Sequence, residues 1–231
     1  MPRAVASRPL HFIWLVDASG SMRDDGKIQA VNNSIRDTIP LMRQVADDNP
    51  NARVLVRAVA FSSGARWHVE KPTPLDDFSW QDVGAGGLTD LGKALRLVAA
   101  QLAIPPMEER ALPPVLVLLS DGQPTDDYKG GLEALLEEPW GRSSVRIGIA
   151  IGRDVDLEVL QEYIGDPAIR PLQANNPEAL VRSIRWASTA VLKAVSQPSR
   201  GRLRSEETSV TVPLPTPVTV SPSGPSSESV W

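Results

Sequence analysis

A short stretch near the amino terminus places one carboxylate and two hydroxyls at alternate positions. Asp17-Ala18-Ser19-Gly20-Ser21 directly follows an apolar run over residues 10–16. A loop there would turn the oxygens of Asp17, Ser19 and Ser21 to one side, because Gly20 allows a tight bend. Such oxygens are ligands for a hard cation. Asp, Ser and Gly are also common turn residues after any strand, so the motif alone is a weak indicator of a metal site.

Two further oxygen donors stand far along the chain, each at the end of a predicted element. Asp121 follows the apolar run 115–119, and Thr89 immediately precedes a helical period that starts at Leu91. If these segments meet at one rim, five oxygens from three loops converge on one cation. Neutral hydroxyl ligands leave such an ion strongly positive, and Mg²⁺ keeps several waters. A carboxylate from a partner can therefore replace one water.

Continuous apolar runs identify the strands that must position these residues. Runs of this length are typical of strands buried on both faces of a parallel sheet. They cover residues 10–16, 52–61, 115–119 and 145–151. The connection 62–65 is too short for a crossover, so residues 66–70 are predicted to run antiparallel as a hairpin partner.

Helical periods alternate with these strands. They cover residues 28–45 (with a kink expected at Pro40), 91–102, 132–136, 157–164 and 180–195. Asn176 and Pro177 predict an N-cap and first position for the last of these helices. The alternation predicts an α/β fold: a doubly wound, mostly parallel six-stranded sheet with one antiparallel edge strand and helices on both faces. Ligands of such sheets bind beyond the carboxyl ends of the strands, where the oxygen donors fall.

These three motif pieces, in this order, resemble the metal-ion-dependent adhesion site of von Willebrand factor A and integrin I domains. The resemblance covers residues 10–195, and all five motif positions are intact. It implies one divalent cation, Mg²⁺ or Mn²⁺, contacted by Ser19, Ser21 and Thr89, with Asp17 and Asp121 acting directly or through water. It further implies a non-enzymatic module that binds an acidic group of a partner protein through the ion.

Two stretches, 89–95 and 119–127, resemble more closely the small bacterial cytoplasmic members of the TerY-like, tellurium-resistance-associated group. That resemblance implies a stress-response system linked with a Ser/Thr kinase and a metal-dependent phosphatase. Ser120 stands where threonine is commoner in the group, a departure that we expect to affect no ligand.

Composition restricts the compartment and the partners. The chain contains no cysteine, which excludes disulfides and thiolate zinc sites and fits a reducing compartment. A net charge of −4 without a basic cluster gives no support for a nucleic-acid partner. The apolar run at the start is too short for a signal peptide or membrane span, so a cytoplasmic protein without a membrane partner is expected.

The last 35 residues differ from the rest. Residues 197–231 contain 6 Pro, 8 Ser and 4 Thr, which predicts a flexible tail after a domain over residues 1–196. Thr208 and Thr211 follow acidic residues and are candidate phosphorylation sites. Phosphate there would create an epitope for an arginine-lined reader such as a forkhead-associated domain. A plain linker is the simpler interpretation.

Enzymatic alternatives have weaker support. Residues 87–93 match the first seven positions of a P-loop, but Ala94 replaces the hydroxyl that should hold magnesium. No nucleophile elbow surrounds Ser19 or Ser21, and no general base is evident near the rim. Two alternatives to the binding module stay open: a metal-assisted phosphoester hydrolase with Asp17 as nucleophile, and a scaffold that recruits partners through its tail.

Overall fold

One sheet contains all the strands of the described residues, which are 7–121, 123–153 and 155–196 of a computed structural model. The strands are β1 (Arg8–Asp17), β2 (Ala52–Ser62), β3 (Gly64–Pro74), β4 (Val115–Ser120), β5 (Val145–Ile151) and β6 (Leu172–Ala174). Their spatial order is β3-β2-β1-β4-β5-β6. Every neighbouring pair is parallel except β2 with β3. The predicted sheet, with its antiparallel edge strand, is confirmed.

The two edge strands differ most from the sequence prediction. β3 spans Gly64–Pro74 rather than 66–70, and only Ser63 separates it from β2. Gly64 has a φ of 98°, a left-handed conformation that favours glycine and permits this tight reversal. No apolar run marks β6, because it has three residues and only Ala174 is fully buried.

Helices fill the connections between the parallel strands. They are α1 (Lys27–Asp47), α2 (Leu91–Leu102), α3 (Tyr128–Glu137), α4 (Pro139–Arg142), α5 (Leu157–Ile164), α6 (Pro177–Trp186) and α7 (Leu192–Ser196). A 3-10 segment, Gly20–Gly26, leads into α1, and a π-helical turn, Ala187–Val191, joins α6 to α7. Pro40 lies inside α1, which continues to Asp47. Asn176 caps α6 as predicted, since its side-chain oxygen accepts a hydrogen bond from Ala179 N at 2.8 Å.

The sheet forms the centre of the core. Every residue of β4 is buried, as are nine of the ten residues of β1, so both faces of the central strands are covered. α1 packs against α6 and α7, and α2 packs against α3 and α4. The α2–α3 contact is close: a Cβ on Gly92 would lie 2.2 Å from Asp127 O. These packed layers hold the carboxyl ends of β1 and β4 side by side.

A buried asparagine fixes the long loop between β3 and α2. Asn32 of α1 is fully buried, and its Nδ2 donates to Val83 O at 3.0 Å. Its Oδ1 accepts hydrogen bonds from Val83 N and from Trp80 Nε1, both at 3.0 Å. One side chain therefore satisfies three buried polar groups of the loop that leads to Thr89.

Several expectations concern residues outside the described ranges. The predicted tail over 197–231, with Thr208 and Thr211, lies there.

The described residues contain no helix both long and apolar enough to cross a membrane.

Replacing Asn32 with alanine should lower the free energy of unfolding by about 3 kcal/mol, because three buried polar groups lose their partner. Asn33→Ala is the matched control, since Asn33 is exposed and its side chain, among the described residues, bonds only Arg36 on the surface. Urea unfolding followed by circular dichroism measures both. Equal stability of the two variants would show that the loop does not depend on Asn32.

His11 should make the protein sensitive to acid. Burial, followed by the charges of Arg57 and Arg53, lowers the pKa of His11 to about 4. The unfolded chain, with an ordinary histidine pKa of about 6.5, then takes up the proton first as the pH falls. Stability is therefore intact above about pH 6.5 and is lost toward pH 4, by about 3 kcal/mol for this group.

Unfolding free energies between pH 7 and pH 4.5 measure this loss. His11→Leu should flatten the pH dependence relative to the wild type, since carboxylate titration is common to both proteins. Identical slopes for the two proteins would refute the assignment to His11.

Candidate metal centre

Four of the five predicted ligand residues form one hydrogen-bonded cluster at the carboxyl ends of β1 and β4. Asp17 is the last residue of β1, and Asp121 directly follows β4. Parallel pairing places Val16 opposite Leu119, so the two aspartates emerge next to each other. Between them, Ser19 Oγ lies 3.0 Å from Ser21 Oγ, and Ser21 Oγ donates to Asp121 Oδ1 at 2.7 Å.

The spacing of these oxygens fits a small divalent cation. Mg²⁺ binds oxygens octahedrally at about 2.1 Å, which places adjacent ligands about 3.0 Å apart. The Ser19–Ser21 and Ser21–Asp121 distances of 3.0 and 2.7 Å are close to that value. Hydroxyls supply part of the set, and accordingly no group of three or more His, Cys, Asp or Glu that could hold a metal occurs in the described residues. The cluster suits a hard cation and not a zinc-type site.

Asp17 has the most enclosed carboxylate of the set. It is fully buried, and its Oδ1 accepts from Ser19 N at 2.8 Å while Oδ2 accepts from Ser120 Oγ at 2.6 Å. Burial raises the pKa of Asp17, whereas the hydrogen bonds from Ser120 and Ser19 act in the opposite direction. Because both oxygens bond the protein, this carboxylate orients the Ser19 loop.

Thr89 reaches the same rim through backbone contacts. Gly86 N donates to Ala18 O at 2.8 Å, and Gly20 N donates to Gly87 O at 3.0 Å. The loop that contains Thr89 is therefore bonded directly to the loop that contains Ser19. Thr89 is itself buried. In the described part of the chain, no side-chain hydrogen bond joins its hydroxyl to the other four residues. The role of Thr89 as a ligand stays a prediction, as do the ligand roles of the other four residues.

Two residues at the cluster were not selected from the sequence. Ser120 Oγ donates to Asp17 Oδ2 at 2.6 Å. A threonine hydroxyl could donate in the same way, so this contact does not contradict the expectation that serine in place of threonine affects no ligand. Lys27 Nζ lies 2.8 Å from Asp121 Oδ2, with 15% and 1% of the two side chains exposed. Lys27 directly precedes the helical period that starts at residue 28, where the helix dipole disfavours a positive charge. The sequence could therefore indicate that Lys27 needs an acidic partner, but not which residue that partner is.

The neighbouring acidic residues have structural roles. Asp126 accepts hydrogen bonds from Gly92 N and Lys93 N, both at 2.8 Å, and so caps the start of α2 from another loop. Asp127 caps α3 through Gly130 N at 3.1 Å and pairs with Arg96. Both members of this acidic pair therefore cap helices.

The segment that partly matches a P-loop lacks its structural setting. A P-loop follows a strand directly, but residues 75–90 before α2 contain no strand. Lys93 Nζ, at the position of the phosphate-binding lysine, lies 2.6 Å from Asp90 Oδ2. The local structure gives nucleotide binding no support.

Three comparisons with known proteins bear on the family. The model of the von Willebrand factor type A domain matches residues 12–183. A search of curated proteins found no significant match. Among solved structures, the ArnB paralog VWA2 from Sulfolobus acidocaldarius has 21% identity and a TM-score of 0.58, over 78% of this chain and 45% of that one.

Two further solved structures show the same fold. A von Willebrand factor type A protein from Catenulispora acidiphila has 17% identity and a TM-score of 0.59, over 81% of this chain and 43% of that one. The pilus adhesin SpaC from Lactobacillus rhamnosus GG has 14% identity and a TM-score of 0.64, over 81% of this chain and 31% of that one.

This chain thus spans less than half the length of each of these three proteins. At such identities the structural likeness concerns the fold alone. The family assignment instead follows from the sequence match over residues 12–183, which covers most of the chain and both aspartates of the cluster. The chain belongs to the von Willebrand factor type A domain family.

Proposed function

We propose that this protein binds an acidic group of a partner protein through one divalent cation, Mg²⁺ or Mn²⁺, held at the Asp17–Asp121 cluster. The observation that carries the proposal is the spacing of Ser19, Ser21 and Asp121 oxygens, which corresponds to adjacent ligands of such an ion. The family supports the same conclusion, since von Willebrand factor A domains are commonly protein-interaction modules.

The charges at the cluster favour an acidic ligand. Two aspartates contribute two negative charges, and Lys27 offsets one of them through its contact with Asp121. A bound divalent cation would supply a Lewis-acidic position with net positive charge. Ser21 is exposed, so this position faces the surface, where a carboxylate of a partner can approach.

An exposed apolar side chain lies on the same loop as Thr89. Leu88 directly precedes Thr89 and is 57% exposed, the highest value among the large hydrophobic residues described. Leu88 N donates to Ser63 Oγ at 3.1 Å, which fixes the backbone that presents the side chain. We infer that the partner carries an apolar group next to its acidic one.

The site argues against catalysis. Asp17 would be the nucleophile of a phosphoester hydrolase, but it is fully buried and both its oxygens accept hydrogen bonds from the protein. His11 lies six residues earlier on β1, about 20 Å away along an extended strand. The ring of His68 bonds Gln81 O on the β3 side. Neither histidine is placed to serve as a base at the cluster, so we propose a binding module that is not an enzyme.

The biological setting follows from the sequence resemblance. The TerY-like stretches 89–95 and 119–127 support a cytoplasmic stress-response role in bacteria. A Ser/Thr kinase, a metal-dependent phosphatase or a forkhead-associated domain protein would be partners in such a system, and nucleic acid and membrane would not. Phosphorylation of Thr208 or Thr211 in the tail would provide a second docking element.

Titration calorimetry of Mg²⁺ and Mn²⁺ into the metal-free protein tests the ion site. We expect saturable binding with one ion per chain, weakened about tenfold or more by Ser19→Ala and by Asp121→Ala, because each removes an oxygen or its support. Asp82→Ala is the control, since Asp82 pairs with Arg36 on an exposed surface. Absence of binding to the wild type, or equal affinity in all four proteins, would contradict the proposal.

Selection of peptides from a random library on Mn²⁺-saturated protein tests the partner chemistry. Selected peptides should contain an acidic residue beside an apolar one, and chelation of the metal should release them. Leu88→Ser should remove the apolar preference. Ile104→Ser, also exposed (43%) but beyond the far end of α2, should retain it. Peptides that lack acidic residues, or that survive chelation, would refute metal-mediated recognition.

A further inference from the structure

Lys27 lies where the helix dipole disfavours a positive charge, and a contact with Asp121 offsets this effect. It is the first residue of α1, a helix of 21 residues, and the first turn contains no acidic side chain. Cations are disfavoured at this positive end of the helix dipole. The compensation is the contact between Lys27 Nζ and Asp121 Oδ2 at 2.8 Å. Among the ion pairs of the described residues, this one alone includes a predicted metal ligand.

The lysine side chain is also enclosed from the β5 side. Gly152 follows β5 with a φ of 102°, and a Cβ built there would lie 3.5 Å from Lys27 Nζ. The ammonium therefore sits between the ends of β4 and β5, and only 15% of the side chain is exposed. A partly buried ammonium held in this way contributes a fixed charge that salt screens less than a surface charge.

The two carboxylate oxygens of Asp121 contact different residues. Oδ2 faces Lys27, and Oδ1 accepts from Ser21 Oγ at 2.7 Å, on the side of the predicted ion. Because the ammonium holds one oxygen, the carboxylate has one orientation, with Oδ1 turned to the hydroxyl cluster. The same ammonium repels a cation placed beside Oδ1 and attracts an anion that approaches that cation.

We propose that Lys27 is a positioning residue that sets the charge of the site, so that the site holds its divalent cation less tightly and binds the carboxylate of a partner more tightly. The inference rests on the proposed function and goes beyond it, since it assigns the specificity for acidic partners to a residue that is not a metal ligand. A purely structural role of Lys27 would affect cation and carboxylate binding in the same direction.

Binding of Mn²⁺ alone, and of acetate to the Mn²⁺-saturated protein, tests the proposal in the full chain. Calorimetry measures the first, and the fall in water-proton relaxation as acetate displaces Mn²⁺-bound water measures the second. Lys27→Met keeps most of the side-chain volume and removes the charge. We expect the Kd for Mn²⁺ to fall about three- to tenfold and the Kd for acetate to rise by a similar factor.

Lys93→Met is the matched control, because Lys93 is also near the start of a helix at this rim but pairs with Asp90, which is not a predicted ligand. It should change both constants less than twofold. Lys27→Arg should restore acetate affinity toward that of the wild type, since it restores the charge.

The outcomes separate the two proposals. If the wild type binds Mn²⁺ and acetate but Lys27→Met shifts both constants in the same direction, or neither, the role of Lys27 is overturned and the proposed function stands. If the wild type binds no Mn²⁺, both are overturned. Circular dichroism of each variant shows whether the fold is intact, and Lys27→Gln replaces Lys27→Met if the latter does not fold.

Discussion

The parallel pairing of β1 with β4 is the constraint on which the site depends. Two aspartates 104 positions apart in sequence become neighbours because Val16 and Leu119 share a register position and each strand ends within two residues. Both strands are buried, so a slip by one residue would turn core side chains toward the wrong face of the sheet. Apolar packing of the two strands thereby fixes the positions of two carboxylates that are not themselves part of the hydrophobic core.

Loops complete the site, and hydrogen bonds join these loops to one another and to α1. Gly86 N and Gly87 O bond the backbone of the Ser19 loop, and Asn32 anchors the same segment from α1. The bonds of buried Asn32 satisfy polar groups of buried Val83 that would otherwise lack a partner, which is costly. The hydroxyls of the cluster are in this way already close to the spacing that a cation requires, so binding need not order a disordered loop.

Only a few charged side chains among the described residues lie at the cluster. Asp17 and Asp121 supply negative charge, Lys27 offsets part of it, and hydroxyls rather than further carboxylates complete the set. A site of this composition does not neutralise a divalent cation, unlike one built from three or four carboxylates. A divalent cation bound there would keep positive charge, and the proposed acidic partner would recognise that charge.

The sequence by itself determined most strands and helices, because buried strands need continuous apolar runs and helices need their 3.6-residue period. It also predicted the candidate ligands at the edge of the sheet. Leu91, Leu95, Val98 and Leu102 are all buried in α2 as that period requires. β6 was not identifiable, since three residues of which only Ala174 is buried carry too weak a pattern. Only the tertiary structure decided the partners of individual polar atoms: Ser120 on Asp17, Lys27 on Asp121 and Asp126 on the start of α2. Hydrogen bonds act over about 3 Å between residues that can be a hundred positions apart, and no local pattern of residue types records such a contact.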